Sequence, residues 1–510
     1  MATFVVRRLI ASVFIFLAAT YLMYQLTALS GDPLEDLRVS TAPNKAQLIE
    51  ARTELLNLDV PPFLRYFIWL GGVIGVTGKG FWLGVTVQNQ PVTVLLAQAA
   101  GSTLQLVTIS NLVAIILGLV IGITTALRQY SGYDYGVTFI SFLFFSLPIF
   151  WVAVLLKQFG AIGFNDFLQN PQIAGWVAPV LGVISGLIWM SIIPGRGRRK
   201  VITFAAAAIA TAAIIIYISA SDWFSTPHIG IVGVVITAVG IAFGVTAISV
   251  GLKRRRALYA SLTVAALGIV LYFPFMYGFS YRMELQGFIL LAVATIVVSF
   301  VIGLLFGGSD RLPVARTAAI TGFLVAGIIA LDRFMLVWNQ YANSGQIKGR
   351  PIATIGSATP NLDASFWVHG VDLFTHLVLP TIALILISFA SYTRYSRASL
   401  LEVMNQDYIR TARAKGLTER TVVVRHAFRN ALIPIATIVA FDIGGLIGGA
   451  VITERVFGWT GMGQLFQNGL DHVDPNPVMA FFLVTGSLAI LFNLIADLVY
   501  AGLDPRIRVS

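Results

Sequence analysis

The densest run of side chains able to engage another molecule lies at 407–437, DYIRTARAKGLTERTVVVRHAFRNALIPIAT, a basic stretch between two strongly apolar segments. No nucleophile–base constellation accompanies its arginines, so the chemistry on offer is electrostatic docking rather than bond making. From Tyr408 to Lys415 the pattern YIRTARAK suits a helix, with Ile409, Ala412 and Ala414 interrupting a basic surface. Gly416 ends it as a C-cap, and Thr418 is placed to cap a second helix. The spacing predicts a hairpin of two short helices under a membrane. The next helix is expected to begin near Asn430–Pro434, since proline is tolerated in a first turn. Such a hairpin can sit in a groove on a partner and transmit rigid-body motion. It can equally meet anionic headgroups, and these residues alone leave both readings open.

Other chemistry-bearing residues are sparse. The chain has no cysteine, which removes disulfides, thiolate catalysis and cysteine metal sites together. The phosphate-cradling pattern G-x-x-x-x-G-K-[ST] is absent: Gly78–Lys79 is followed by Gly80, and the upstream glycine position holds Val73. There is no H-E-x-x-H, and the five scattered histidines argue against a metal site. The chain is therefore expected to bind no cofactor and to hydrolyse no ATP. Polar residues inside apolar segments are functional hypotheses by default. Asp442 and Asn111 are candidates for lining a translocation pathway, with helix pairing or an interhelical hydrogen bond as the structural alternative. Asp497 is expected to pair with Arg506 or Arg508 near the end of the last helix.

The elements that must position these residues are membrane helices. Of 510 residues 57% are hydrophobic and only 11% charged, against about 25% charged in soluble chains. A net charge of +11 could suggest nucleic acid, but the basic residues fall in short runs between apolar segments, which is a topology signal. Apolar stretches of about 18–25 residues mark spans, and about twelve are expected, near 9–29, 102–126, 137–159, 176–193, 201–219, 229–250, 257–277, 286–306, 316–338, 374–394, 432–453 and 478–500. The first is too long for a secretory h-region and ends in no cleavage-like site, so it reads as an uncleaved helix. Arg7 and Arg8, Arg128, Arg196–Lys200, Lys253–Arg256, Arg311 and Arg316, the 407–437 stretch and the tail fall on alternate loops. That places both termini in the cytoplasm. Segments 31–97 and 339–373 then read as extracytoplasmic loops or small caps. The expected fold class is an all-α polytopic membrane protein.

The motifs carry a family resemblance. DYIRTARAKGL (407–417) and RHAFRNALIP (425–434) resemble the signature, or EAA, loop of ABC importer permeases in its dipeptide/oligopeptide form, B-type subunit. GGAVITERVFGWTGMGQL (448–465), NLIADLVYAGLDPRIR (493–508), LDVPPFLRYFIWL (58–70), PVTVLLAQAAGSTLQL (91–106) and HLVLPTIALIL (376–386) resemble the same family. Arg410, Thr411, Ala412 and Gly416 stand where the general motif has Glu, Ala, Ala and Gly. The arginine at the acidic position is normal for the peptide branch.

The resemblance implies a type I permease core of six helices and a coupling helix, Tyr408, Arg410, Thr411, Ala412, Arg413, Lys415 and Gly416, docking on a cytoplasmic ATPase. It implies a second, C-type permease subunit, two ATPase subunits holding ATP and magnesium, an extracytoplasmic binding protein, and a bacterial inner or plasma membrane. It covers roughly 1–163 and 350–510, with the coupling loop at 395–431. Residues 164–349 are an insertion of about six further spans, an even number that keeps the coupling loop cytoplasmic. Within it Asp222, Trp223 and His228 share an external loop, and Asp332 and Arg333 end a helix. Its expected role is a peripheral, lipid-facing or partner-binding module. An ion-coupled secondary transporter using Asp442 is the alternative function.

Overall fold

The computed structural model describes residues 2–76, 80–193 and 195–503. Gly78, Lys79, Arg506 and Arg508 lie outside the described residues, as does the side chain of Asp497. In chain order come α1 (Ala2–Ala28), α2 (Glu35–Val39), α3 (Lys45–Leu55), α4 (Pro62–Ile74), α5 (Val92–Ala126), α6 (Gly132–Ser146) and α7 (Ile149–Leu155). A π-helical stretch, Leu156–Gly163, continues α7 into α8 (Phe164–Gln169). Next are α9 (Val177–Ile192), α10 (Arg198–Ala220), α11 (Gly230–Ser249), α12 (Arg255–Tyr277), α13 (Leu285–Phe306), α14 (Arg311–Leu336) and α15 (Trp338–Ala342). The long α16 (Phe366–Met404) leads to α17 (Asp407–Ala414), α18 (Glu419–Thr421), a second π-helical stretch Val422–Ala427, α19 (Phe428–Phe457), α20 (Met462–Asp471) and α21 (Pro475–Leu503). The protein is all-α: the described residues hold one isolated antiparallel bridge, Val85 to Pro91, and no strand.

Among the described residues nine helices are long and apolar enough to cross a membrane, ten if a bent pair is one span. Each of the twelve apolar segments is helical, but two depart from a simple span. The segment at 137–159 is broken, with α6 and the helix from Ile149 meeting at 102°. Pro148 explains the break: it offers no N–H, and it holds Leu147 in extended backbone (ψ 131°). The segment at 176–193 is the shorter helix α9, 16 residues long. The segment at 432–453 lies inside α19, whose 30 residues suffice for a crossing by length.

The chain forms two compact units. The first comprises 1–161, 354–357 and 376–510; the second comprises 162–353 and 358–375. In the first, Tyr24, Tyr66, Trp69, Leu83, Leu96, Met462, Met479 and Phe481 form one core. There α5 and α16 approach closely because α5 offers glycines: a Cβ on Gly118 would lie 2.4 Å from Tyr392 Cβ, and one on Gly122 would lie 1.9 Å from Ser396 Oγ. This small-xxx-small pairing lets the Ser396 hydroxyl donate across the interface to the Gly118 carbonyl at 2.8 Å.

In the second unit Val234, Ala238, Ala242, Ala265, Tyr272 and Val325 knit α11, α12 and α14 together. Residues 358–375 pack with these inserted helices: Trp367 Nε1 donates to the Ser280 carbonyl at 2.7 Å, and Tyr341 OH donates to Asp372 Oδ1 at 3.1 Å. The α9–α10 hairpin is peripheral, since α10 buries no residue.

Two alanine substitutions on α5 should separate close approach from helix propensity. Gly122→Ala, which drives a methyl into Ser396 and the Thr393 carbonyl, is expected to cost about 1–3 kcal/mol. Gly101→Ala, with nothing within 4 Å, should be neutral or stabilise by up to about 1 kcal/mol. Thermal unfolding of the two purified variants in one detergent checks the difference.

Candidate functional site

The 407–437 stretch folds around two buried side chains. On α17, Ile409 and Ala412 lie three residues apart and so share a face. That face packs on Leu400, Val422, Ala427 and Ala431. Tyr408, Arg410, Thr411, Arg413 and Lys415 are exposed on the rest of its surface. Ala412, grouped with them on sequence grounds, is only 6% exposed and packs in the cluster beneath the helix. Gly416 follows the Lys415 cap with φ +74°, the left-handed turn that glycine adopts without strain. Thr418 caps α18, its hydroxyl accepting from the Thr421 amide at 3.4 Å.

Arg413 closes the turn by a two-pronged pair to Glu419, Nε to Oε2 at 3.1 Å and Nη2 to Oε1 at 2.7 Å. That hydrogen-bonded guanidinium holds the Glu419 carboxyl below the usual range and raises Arg413 in turn. Both are well exposed, so the pair contributes at most about 1 kcal/mol. Arg410 lies 3.5 Å from Asp407. Asn430 Nδ2 donates to Tyr408 OH at 3.1 Å.

The expected fresh start at Asn430–Pro434 does not occur. The chain runs from Glu419 through the π-helical stretch into α19 without a break, and Pro434 sits inside that helix. Val422, Val423 and Ala427, all buried, continue the helical apolar face upstream of the proline. The second arm of the hairpin is therefore the base of a long helix.

Further along the helices, one intramembrane candidate, Asn111, is hydrogen-bonded to Tyr392. Tyr392 OH on α16 donates to Asn111 Oδ1 on α5 at 3.0 Å and lies near Asp442 on α19. Asn111 and Tyr392 are buried, and Asp442 is half-buried. Tyr392 was missed from sequence. Its signal is the polar run Ser391–Ser396 inside an otherwise apolar helix. Nearer the 407–437 stretch, Arg397 grips the buried Asp134 with two bonds of 2.9 Å.

At the other end of α19 the motif TERVFGWTGMG forms a knot around Glu454, which has no exposed surface. Its Oε1 accepts from Thr103 Oγ1 at 2.7 Å and its Oε2 from the Gly463 amide at 2.6 Å. Met462 N in turn donates to Thr103 Oγ1 at 2.8 Å. A Cβ on Gly461 would meet the carboxylate at 2.4 Å, and one on Gly463 would meet both the Val451 Cα at 2.6 Å and the carboxylate at 2.7 Å. The last carbonyls of α19 find donors too: Val456 O from Lys157 Nζ at 2.9 Å and Phe457 O from the Gly356 amide at 2.9 Å.

Asp474, 1% exposed, precedes Pro475 and caps α21. Its Oδ1 accepts from the Asn476 amide at 3.1 Å, and its Oδ2 ties the 84–91 turn through the Val87 amide at 2.8 Å. Burial pushes the Asp474 carboxyl up to about 6, against the lowering effect of the two amides, His472 and Arg52.

The inserted unit places its candidates in structural roles. Asp332 accepts from the Ile229 amide (2.6 Å) at the start of α11 and from Tyr272 OH (2.6 Å). Arg333 turns away from it onto the rings of Tyr281 and Trp367, 5.1 and 5.8 Å from their centres. Asp222 sits in a turn at φ +49°, and Trp223 Nε1 donates to the His228 carbonyl at 3.0 Å. No group of three or more metal-ligating side chains occurs among the described residues.

Comparison with known proteins fits this arrangement. Residues 258–509, from α12 onward, match the family of binding-protein-dependent transport system inner membrane components. The chain is 44% identical over 155 residues to the oligopeptide transport system permease protein OppB of Mycobacterium tuberculosis, covering 30% of this chain and 48% of that protein. It is 45% identical over 137 residues to AppB of Bacillus subtilis, of the same description (27% and 43% covered). It is 34% identical over 200 residues to the dipeptide transport system permease protein DppB of Escherichia coli (37% and 59% covered). The chain spans about half the length of the curated relatives it matches. It thus resembles the dipeptide/oligopeptide permeases of ABC importers, with a large inserted transmembrane region.

The Asp474 tie carries a pH signature. The carboxyl's folded value, about 6, lies above its ordinary 3.8. The stability it contributes is therefore fully present below about pH 3.8 and is lost as pH rises through about 6. Exchange of the Val87 amide, corrected for its intrinsic rate, should accelerate by up to about tenfold between pH 5 and pH 7. In Asp474→Asn the corrected rate should not depend on pH over that range.

Proposed function

We propose that this chain is the permease subunit of an ATP-driven importer for di- or oligopeptides. The observation that carries the reading is α17 itself, a short helix anchored by Ile409 and Ala412. It presents Tyr408, Arg410 and Lys415 outward and is locked to the base of α19 through Gly416 and Arg413–Glu419. A helix so mounted transmits displacement to the long helix it adjoins, as a coupling element must.

In this reading a second, C-type permease completes the pathway, and two cytoplasmic ATPases, which hold ATP and magnesium, engage the two coupling helices. An extracytoplasmic binding protein delivers substrate to the 31–97 and 339–373 segments. Both termini are cytoplasmic, in a bacterial inner or plasma membrane. Asn111, Tyr392 and Asp442 are the polar groups placed to line or gate the path. The family match and the peptide-permease relatives support this assignment.

Co-purification of the ATPase subunits with the permease tests the docking surface. Arg410→Glu with Lys415→Glu should weaken ATPase retention by roughly thirtyfold, the loss of about 2 kcal/mol expected for an interface anchor, while the variant elutes as the parent does in gel filtration. Peptide uptake should fall with it. Uptake that survives the loss of ATPase binding but collapses on dissipating the proton gradient would favour an ion-coupled carrier centred on Asp442.

A further inference from the structure

Two turns of the inserted unit close on one another and gather cations at one membrane surface. α12 and α14 both begin there and pack along each other. Arg254 pairs with Asp310 at 3.0 Å, and Arg311 Nε donates to the Gly308 carbonyl at 3.3 Å. The Arg256 guanidinium lies where a Cβ on Gly308 would stand, with Nη1 1.6 Å from that point.

Around this closure Lys253, Arg254, Arg255, Arg256, Arg311 and Arg316 are all exposed, and Asp310 is the one carboxylate in the two turns. Among the described residues Lys253, Arg255 and Arg316 form no ion pair. Neither helix has an acidic residue in its first turn, so cations crowd helix starts where the dipole disfavours them. Like charges gathered on two adjoining turns repel unless an anion offsets them. Large apolar side chains flank the same turns, Leu252 at 49%, Leu305 at 79% and Leu312 at 56% exposed. A phosphate carried on acyl chains matches that pairing of charge and oil; a water-borne anion leaves the leucines uncovered.

We propose that this double turn binds the phosphate of an acidic membrane lipid, guanidinium groups on the headgroup and leucines against its chains. The site belongs to the inserted unit and stands apart from the import reading.

The test uses the full chain in phosphatidylcholine nanodiscs with graded phosphatidylglycerol, followed by native mass spectrometry of retained lipid. Lys253→Gln, Arg255→Gln and Arg316→Gln combined should lower phosphatidylglycerol retention by at least about tenfold. Thermal unfolding in phosphatidylcholine alone should not change. Arg255→Gln by itself should lower retention about fivefold, which keeps the test open if the triple variant folds poorly. A charge-matched control, Arg196→Gln, Arg198→Gln and Arg199→Gln, should retain the lipid. Equal loss in both triple variants would reduce the effect to bulk charge and overturn the site. So would undiminished retention, or displacement of the lipid by millimolar inorganic phosphate or glycerol phosphate.

Discussion

A helix that stops inside or against a membrane leaves amides and carbonyls that water cannot reach, and each one must find a partner in the protein. This chain meets that need in several places with acidic and basic side chains. Glu454 takes the Gly463 amide and the Thr103 hydroxyl where α19 turns back. Lys157 and the Gly356 amide take the last carbonyls of the same helix. Asp474 opens α21, and Asp332 opens α11. An unpaired charge in such a place would be costly, whereas a fully bonded one ends a helix at a defined residue. Gly461 and Gly463 follow from the same need, since a carboxylate that reaches the Gly463 amide crowds the positions beside it.

That constraint sorts the charges of the chain by role. Asp134, Asp332, Glu454 and Asp474 are buried and spent on helix ends or, for Asp134, on Arg397. Among the charges left exposed are those of α17 in one unit and those at the starts of α12 and α14 in the other. On α17 the division runs within eight residues: Ile409 and Ala412 hold the helix down while Tyr408, Arg410 and Lys415 stand out. The π-helical stretch Val422–Ala427 carries that mounting directly into α19. The base on which α17 is mounted is thus continuous with the helix that carries Asp442.

Much of this was legible in residue order because it depends on local chemistry. Gly416 and Thr418 end and start helices by their own backbone and side-chain preferences, and both do so in the fold. Apolar runs placed the long helices, since spanning length follows from bilayer thickness. The 102° break at Pro148 was not read from a run that looked continuous, although the residue responsible was in plain view. Pro434 misled in the opposite direction: its presence suggested a helix start, and the buried Val422–Ala427 face carried the helix past it.

The sequence by itself determined that this is a multi-span α-helical membrane protein, that its basic 407–417 segment is a capped helix and turn, and which family it resembles. Each of these rests on contacts between residues a few positions apart. Only the tertiary structure decided that Ala412 is buried under its own helix, that Tyr392 bonds Asn111, and that Glu454 is the knot behind a glycine-rich motif. It alone brought Arg254 to Asp310. Those outcomes depend on pairs separated by tens to hundreds of residues, such as Thr103 with Glu454, and their meeting is set by how whole helices pack.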